Sequence, residues 1–219
     1  VDEFLTNLPE FRAAIWQTFY MVGISVVLGG LLGLALGLVL YATRPGSLMS
    51  NRAVFVGVNI LVNVVRPIPF VIFLMAIQPL MKAMIGTTIG TDAVTFALTL
   101  AAAFAVSRVI EQTLIAVDPG VVEAARAAGA RPLSILLTVV VPEALGPVIL
   151  GYTFIFVAVV DMSAQAGLFG GGGLGSFAIT HGSQRYNWVV VYITVAVIIL
   201  IVQAGQFAGN ALARRALRR

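Results

Sequence analysis

Glu111-Gln112-Thr113-Leu114-Ile115-Ala116-Val117-Asp118-Pro119-Gly120-Val121-Val122-Glu123-Ala124-Ala125-Arg126-Ala127-Ala128-Gly129-Ala130-Arg131-Pro132, with the apolar run Leu133 to Val141 and Pro142 behind it, is the stretch on which the fold turns. It separates two long apolar runs and does not cross a bilayer itself. Its start is too polar, and the run 133–141 falls short of the ~20 residues that span a ~30 Å hydrocarbon layer as helix. Asp118-Pro119 is a helix-start signal, an acceptor at the N-cap followed by proline at the first helical position. The alanine-rich segment 121–128 is strongly helix-forming. Gly129 supplies the left-handed residue that ends a helix, and Pro132 prevents its continuation. The spacing thus predicts a short, capped helix tethered at the membrane surface. Its alanines make a thin rod suited to a groove in another protein. A helix resting on lipid headgroups would instead carry several basic residues and bulky apolar ones, and this one has a single arginine.

Around this stretch the chain reads as an all-α integral membrane protein. Hydrophobic residues make up 60% of the 219 residues, charged residues 10%, and the mean hydropathy is +1.04. A soluble domain carries roughly a quarter charged residues, so the solvent for this surface is lipid. Five apolar spans are expected, at about 13–41, 53–78, 93–110, 145–167 and 188–207, in one transmembrane domain covering 1–219, with the cytoplasmic loop at about 111–142. Backbone groups in lipid need partners within their own segment, which selects helices. A β-barrel would show alternating runs of ~10 residues instead. Gly29, Gly33 and Gly37 recur at four-residue spacing and open one face of the first span to close approach by another helix. No internal repeat is evident, so two-fold architecture requires a second copy of the chain.

The basic residues set the orientation. Arg44 and Arg52, then Arg108, Arg126 and Arg131, then Arg214, Arg215, Arg218 and Arg219 fall on one side of a five-span chain, against Arg12, Lys82 and Arg185 on the other, nine against three. The C-terminus is expected in the cytoplasm and the N-terminus outside. The formal charge of +4 comes from these few residues and does not point to nucleic acid. With no cysteine, disulfides and thiolate metal sites are excluded. The opening Val1-Asp2-Glu3-Phe4 has no basic n-region, so no signal peptide is expected there.

At the surface helix the chain resembles the permease subunits of binding-protein-dependent ABC importers. Their cytoplasmic loop has the form EAA, three residues, G, nine residues, I-x-L-P. Here Glu123-Ala124-Ala125, Gly129 and Val139-Val140-Val141-Pro142 keep that spacing, with valine at the I and L positions. Leu40-Tyr41-Ala42-Thr43-Arg44-Pro45-Gly46, Val65-Arg66-Pro67-Ile68-Pro69-Phe70, Pro142-Glu143-Ala144-Leu145 and Gly172-Gly173-Leu174-Gly175 extend the likeness to methionine importer permeases. The resemblance implies a type I ABC importer permease fold in the bacterial inner membrane. It implies a homodimer of permeases with two cytoplasmic ABC ATPase subunits and an external substrate-binding lipoprotein. Glu123, Ala124, Ala125 and Gly129 would couple the permease to the ATPase. The substrate implied is an amino acid: methionine, D-methionine or a relative, moved by alternating access.

This chain is not expected to be an enzyme. Its only lysine, Lys82, stands between Met81 and Ala83, so no Gly-Lys-Ser/Thr P-loop exists. No cofactor is expected in it, and ATP and Mg would be bound by the partner ATPase. Gly170, Gly172 and Gly175 satisfy G-x-G-x-x-G but follow a membrane span, the wrong context for a dinucleotide site. They read as a re-entrant turn or as a plain loop. His181, the only histidine, is expected to be solvated, with no metal site around it. Arg66 and Asp161 are ionisable groups within spans and therefore face a cavity, an end or each other. Together with Met162 and Ser163 they are the expected lining of a translocation pathway. An acid at Asp161 departs from the resembling permeases. It leaves open a permease for a different small solute, or a gradient-driven carrier working through that carboxylate.

Overall fold

The computed structural model describes residues 6–217. The opening tetrapeptide and the tail residues Arg218 and Arg219 lie outside the described residues. The first element, α1, runs over Leu8–Thr43. At 1.5 Å per residue it is about 54 Å long, more than a hydrocarbon layer needs. A π turn at Ser25–Gly29 lies midway along it. The extra residue there turns buried Ser25 toward the neighbouring helix α5 (Thr91–Ile115), where its hydroxyl donates to the Thr95 carbonyl at 3.2 Å.

Helix α5 is the centre of the molecule. Ala97, Leu98, Ala102, Val106 and Ile110 are buried along it. The glycine ladder of α1 packs on this helix, as the four-residue spacing implied. A Cβ on Gly29 would stand 2.6 Å from the Thr99 carbonyl oxygen, one on Gly33 2.5 Å from Val106 Cβ, and one on Gly37 2.6 Å from Ile110 Cβ. Only hydrogen fits at these crossings.

The second expected span is not one straight helix. It is α2 (Arg52–Val65) and α3 (Phe70–Ala76), bent by 110° where Pro67 and Pro69 interrupt the ladder. Asn51 caps α2 by accepting from the Val54 amide at 3.2 Å. A short α4 (Gln78–Ile85) follows and ends at Gly86, whose φ is 77°. Beyond α5 come the surface helix α6 (Pro119–Ala127) and α7 (Pro132–Glu143), then α8 (Leu145–Gln165) and, after a glycine turn, α9 (Gly173–Phe177). The last helix, α10 (Trp188–Leu217), packs along α8, with Gly205 against Phe156 and Gly209 against Thr153. Among the described residues four helices are long and apolar enough to cross a membrane, and the bent pair supplies a fifth crossing if counted as one span. Their outer faces carry Trp16, Phe154, Tyr192 and Leu200, all at least two-thirds exposed in the single chain. Water would not tolerate such a surface, whereas lipid requires it.

Arg108 departs from the reading of it as a loop charge. It lies on α5, pairs with buried Glu111 and donates to Asn59 (3.0 Å) and Asn63 of α2. A desolvated guanidinium must be paired, and these partners lie on a helix far away in sequence. His181 also departs from expectation. Its side chain is only 14% exposed, with Nε2 2.9 Å from Glu10 Oε2 and the ring stacked on Phe177 at 4.6 Å. The π turn Ala178–Gly182 faces the ring inward, where it lines the contact with α1.

Candidate functional site: a capped surface helix and a charged cleft

The surface helix is built as its sequence requires. The Asp118 carboxylate accepts from the Gly120 amide at 2.8 Å, and Pro119 opens the first turn. At the other end the Ala130 amide donates to the Ala125 carbonyl at 3.1 Å and the Gly129 amide to the Arg126 carbonyl at 2.9 Å. These two bonds with Gly129 at φ 80° form a complete Schellman cap. No residue of α6 is buried. Val122 and Ala125 lean against the core, while Glu123, Ala124 and Gly129 face outward. A rod held at both ends and bare along one side is an element shaped for a partner.

Beside it, Glu123 and Arg126 share a cleft of about 350 Å³ with Tyr41, Arg44 and Leu48 from the end of α1 and its turn. The surface helix and the end of the longest membrane helix therefore line one cleft.

Arg66, Asp161 and Met162 meet in a second cleft, of about 410 Å³. Arg66 comes from the α2–α3 bend and Asp161 and Met162 from the last turns of α8, while Phe73 of α3 and Phe104 of α5 supply apolar wall. Asp161 accepts from the Gln165 amide at 2.8 Å. Ser163 is not part of the cleft. It is buried and donates to the Val160 carbonyl at 2.7 Å, which ties it to its own helix. Arg66 and Asp161 line the same space without forming an ion pair within the described residues.

The glycine stretch forms a turn packed against α1. Gly170, Gly172 and Gly173 have φ of 70°, 75° and 74°, and the chain turns back into α9, where Leu174 and Phe177 are buried. Side chains of α1 hold the turn: Gln17 Oε1 accepts from the Gly173 amide at 2.8 Å and Thr18 Oγ1 from the Leu174 amide at 2.9 Å. No signal in the sequence marks Gln17 and Thr18 as its partners, because they are 156 residues away. Among the described residues no group of three or more His, Asp or Glu side chains gathers as a metal site.

These features define a multi-pass helical membrane protein with an exposed, capped surface helix and a charged cleft between its spans. The chain matches the family of binding-protein-dependent transport system inner membrane components over residues 29–218, and it belongs to that family. It is 41% identical to a probable D-methionine transport system permease of Vibrio cholerae, over 97% of this chain and 94% of the relative. It is 35% identical to a methionine import system permease of Bacillus subtilis, over 85% and 84%. A solved structure of the MetNI methionine ABC transporter in an inward-facing conformation superposes with a TM-score of 0.92 at 34% identity, covering 96% of this chain and 98% of that one. An amino acid ABC transporter crystallised with histidines shares the fold at a TM-score of 0.81 and 22% identity.

Proposed function

We propose that this chain is the permease of an ATP-driven importer for methionine, its D-enantiomer or a closely related amino acid. The observation that carries the proposal is α6: a doubly capped helix with no buried residue, with Glu123, Ala124 and Gly129 facing outward and Ala125 turned to the core, sharing a cleft with the end of α1. Two copies of the chain would form the passage, and two ATPase subunits would bind ATP and Mg beneath them. An external binding lipoprotein would deliver the substrate. Glu123, Ala124, Ala125 and Gly129 would seat α6 in the ATPase. Closure of the ATPase dimer on ATP would push α6, and through Tyr41 and Arg44 the tilt of α1 would follow. Gly29, Gly33 and Gly37 suit such a movement, since a smooth helix–helix face slides with few side chains to unlock. The Arg66–Asp161 cleft would belong to the passage. This reading is supported by the family match and by near-full-length likeness to methionine permeases.

The test is uptake by proteoliposomes holding the permease, its ATPase and its binding protein. Labelled methionine is expected to accumulate only with internal ATP and Mg, and to continue in the presence of a protonophore. Accumulation that survives removal of the ATPase and stops with the protonophore would sink the proposal in favour of a gradient-driven carrier.

A further inference from the structure

Arg66 and Asp161 stand 95 positions apart in sequence, yet the bend between α2 and α3 and the last turns of α8 bring them to one cleft of about 410 Å³. That volume is in the range of small-molecule sites. Both residues are exposed in the single chain yet belong to membrane-spanning elements, where a charge left facing lipid is costly. The chain shows how it treats such groups when they are structural: Arg108 and Glu111 pair directly. Arg66 and Asp161 do not pair, although they line the same space. The partner of Asp161 is the neutral Gln165 amide, at 2.8 Å, which fixes the carboxylate without cancelling its charge. A cation and an anion that have no ion-pair partner among the described residues and line one small space are complementary to a zwitterion. The rest of the wall is apolar and includes the polarizable Phe73, Phe104 and Met162, suited to a thioether or aliphatic side chain.

We infer that this cleft is an amino-acid subsite within the permease itself, in which Arg66 holds the substrate's α-carboxylate and Asp161 its α-ammonium. Arg66 suits the first role, since a guanidinium meets a carboxylate with two parallel hydrogen bonds. Asp161 accepts from the ammonium on the oxygen that Gln165 leaves free, and Gln165 is a positioning residue. The passage thereby reads the backbone charges common to α-amino acids and leaves the side chain to the loosely fitting apolar wall. This inference rests on the importer reading and deepens it.

The experiment uses the permease–ATPase complex in nanodiscs without the binding protein, so that only sites on the complex are read. Radiolabelled methionine is bound and then competed with unlabelled methionine, with methioninamide, which lacks the carboxylate, and with 4-(methylthio)butanoate, which lacks the ammonium. A site built around a polar group rejects an analogue lacking it, so methionine is expected to compete about tenfold or more better than either analogue. Asp161→Asn is expected to erase the preference over 4-(methylthio)butanoate and keep that over methioninamide, and Arg66→Gln to do the reverse. Asp161→Glu is expected to retain the ammonium preference, and Gln165→Leu to weaken it by about threefold. General damage to the fold does not produce this crossed pattern. The inference is overturned if the wild-type complex shows no saturable binding, if both variants change both preferences alike, or if neither changes them. ATP-driven uptake by the full system with binding protein is measured beside it. Intact uptake without the crossed pattern removes the subsite alone, whereas uptake independent of the ATPase removes the importer reading.

Discussion

Gly33 sits at one of the close crossings of α1 and α5. Its missing Cβ would lie 2.5 Å from Val106 Cβ and 2.6 Å from the Ala103 carbonyl oxygen, and the second of these is backbone that has no rotamer to move away. Gly33→Val is therefore expected to force the two helices apart at a cost of about 1–3 kcal/mol, the range for overpacking. A lower melting temperature of the detergent-solubilised permease would register it. Gly57→Ala is the matched control, because nothing lies within 4 Å of a Cβ built there. It should leave the melting temperature unchanged or raise it slightly through better helix propensity. The glycine ladder could be read from spacing because its signal is local to one helix. The partners of Arg108 could not be read, because Asn59 and Asn63 lie 49 and 45 residues away and nothing near Arg108 names them. A still larger separation hides the contact between His181 and Glu10, and nothing local to this lone histidine shows that the fold turns its ring onto Phe177.

At the scale of the element, α6 was legible almost to the residue. Asp118, Pro119, Gly129 and Pro132 are start and stop signals whose physics is complete within a few residues. The break in the second span has an equally local cause, as Pro67 and Pro69 withdraw two amide donors, but the 110° angle between its halves has no such local signal. The autonomy of α6 also makes it testable apart from the rest. Ala124 faces outward, so Ala124→Trp is expected to change the melting temperature of the isolated permease by the equivalent of no more than about 0.5 kcal/mol. In a groove fitted to alanine the same indole is expected to abolish co-purification of the ATPase and methionine uptake together. Gly129→Ala separates shape from docking. A Cβ at Gly129 meets nothing within 4 Å of this chain, but φ of 80° penalises any side chain by about 1 kcal/mol. It should fray the C-terminal turn of α6 and lower uptake partially while the ATPase still co-purifies. Co-purification unaffected by Ala124→Trp would show that α6 does not carry the partner.

For the whole molecule, the contacts sort the chain into two ends. At one end the close of α1 shares a cleft with α6, and Gly146 at the start of α8 lies against Leu217 at the end of α10. At the other, Gln17 and Thr18 hold the glycine turn, Tyr20 bonds Asp92 at 3.1 Å, and Glu10 meets His181. Geometry fixes which loops share an end, and charge decides which end is inside. With Arg108 assigned to the interior of α5, and Arg66 to the bend, the described residues still place Arg44, Arg52, Arg126, Arg131, Arg214 and Arg215 at the α6 end against Arg12, Lys82 and Arg185 at the other, six against three. By the positive-inside rule α6 would then lie in the cytoplasm, where an ATPase would be. The absence of cysteine from the sequence makes this unusually clean to measure, since every introduced thiol is the only one in the chain. Ser50→Cys and Ala127→Cys are exposed positions at the α6 end, and Thr87→Cys and Gln184→Cys are exposed at the other. In spheroplasts a membrane-impermeant maleimide is expected to label the second pair at once and the first pair only after the membrane is broken. The reverse pattern would place α6 outside the cell and end its role in coupling to ATP. Labelling of Ser50→Cys and Ala127→Cys from opposite sides would mean that the α6 end is not a single membrane face, and would count against the arrangement of α1 and α5 side by side.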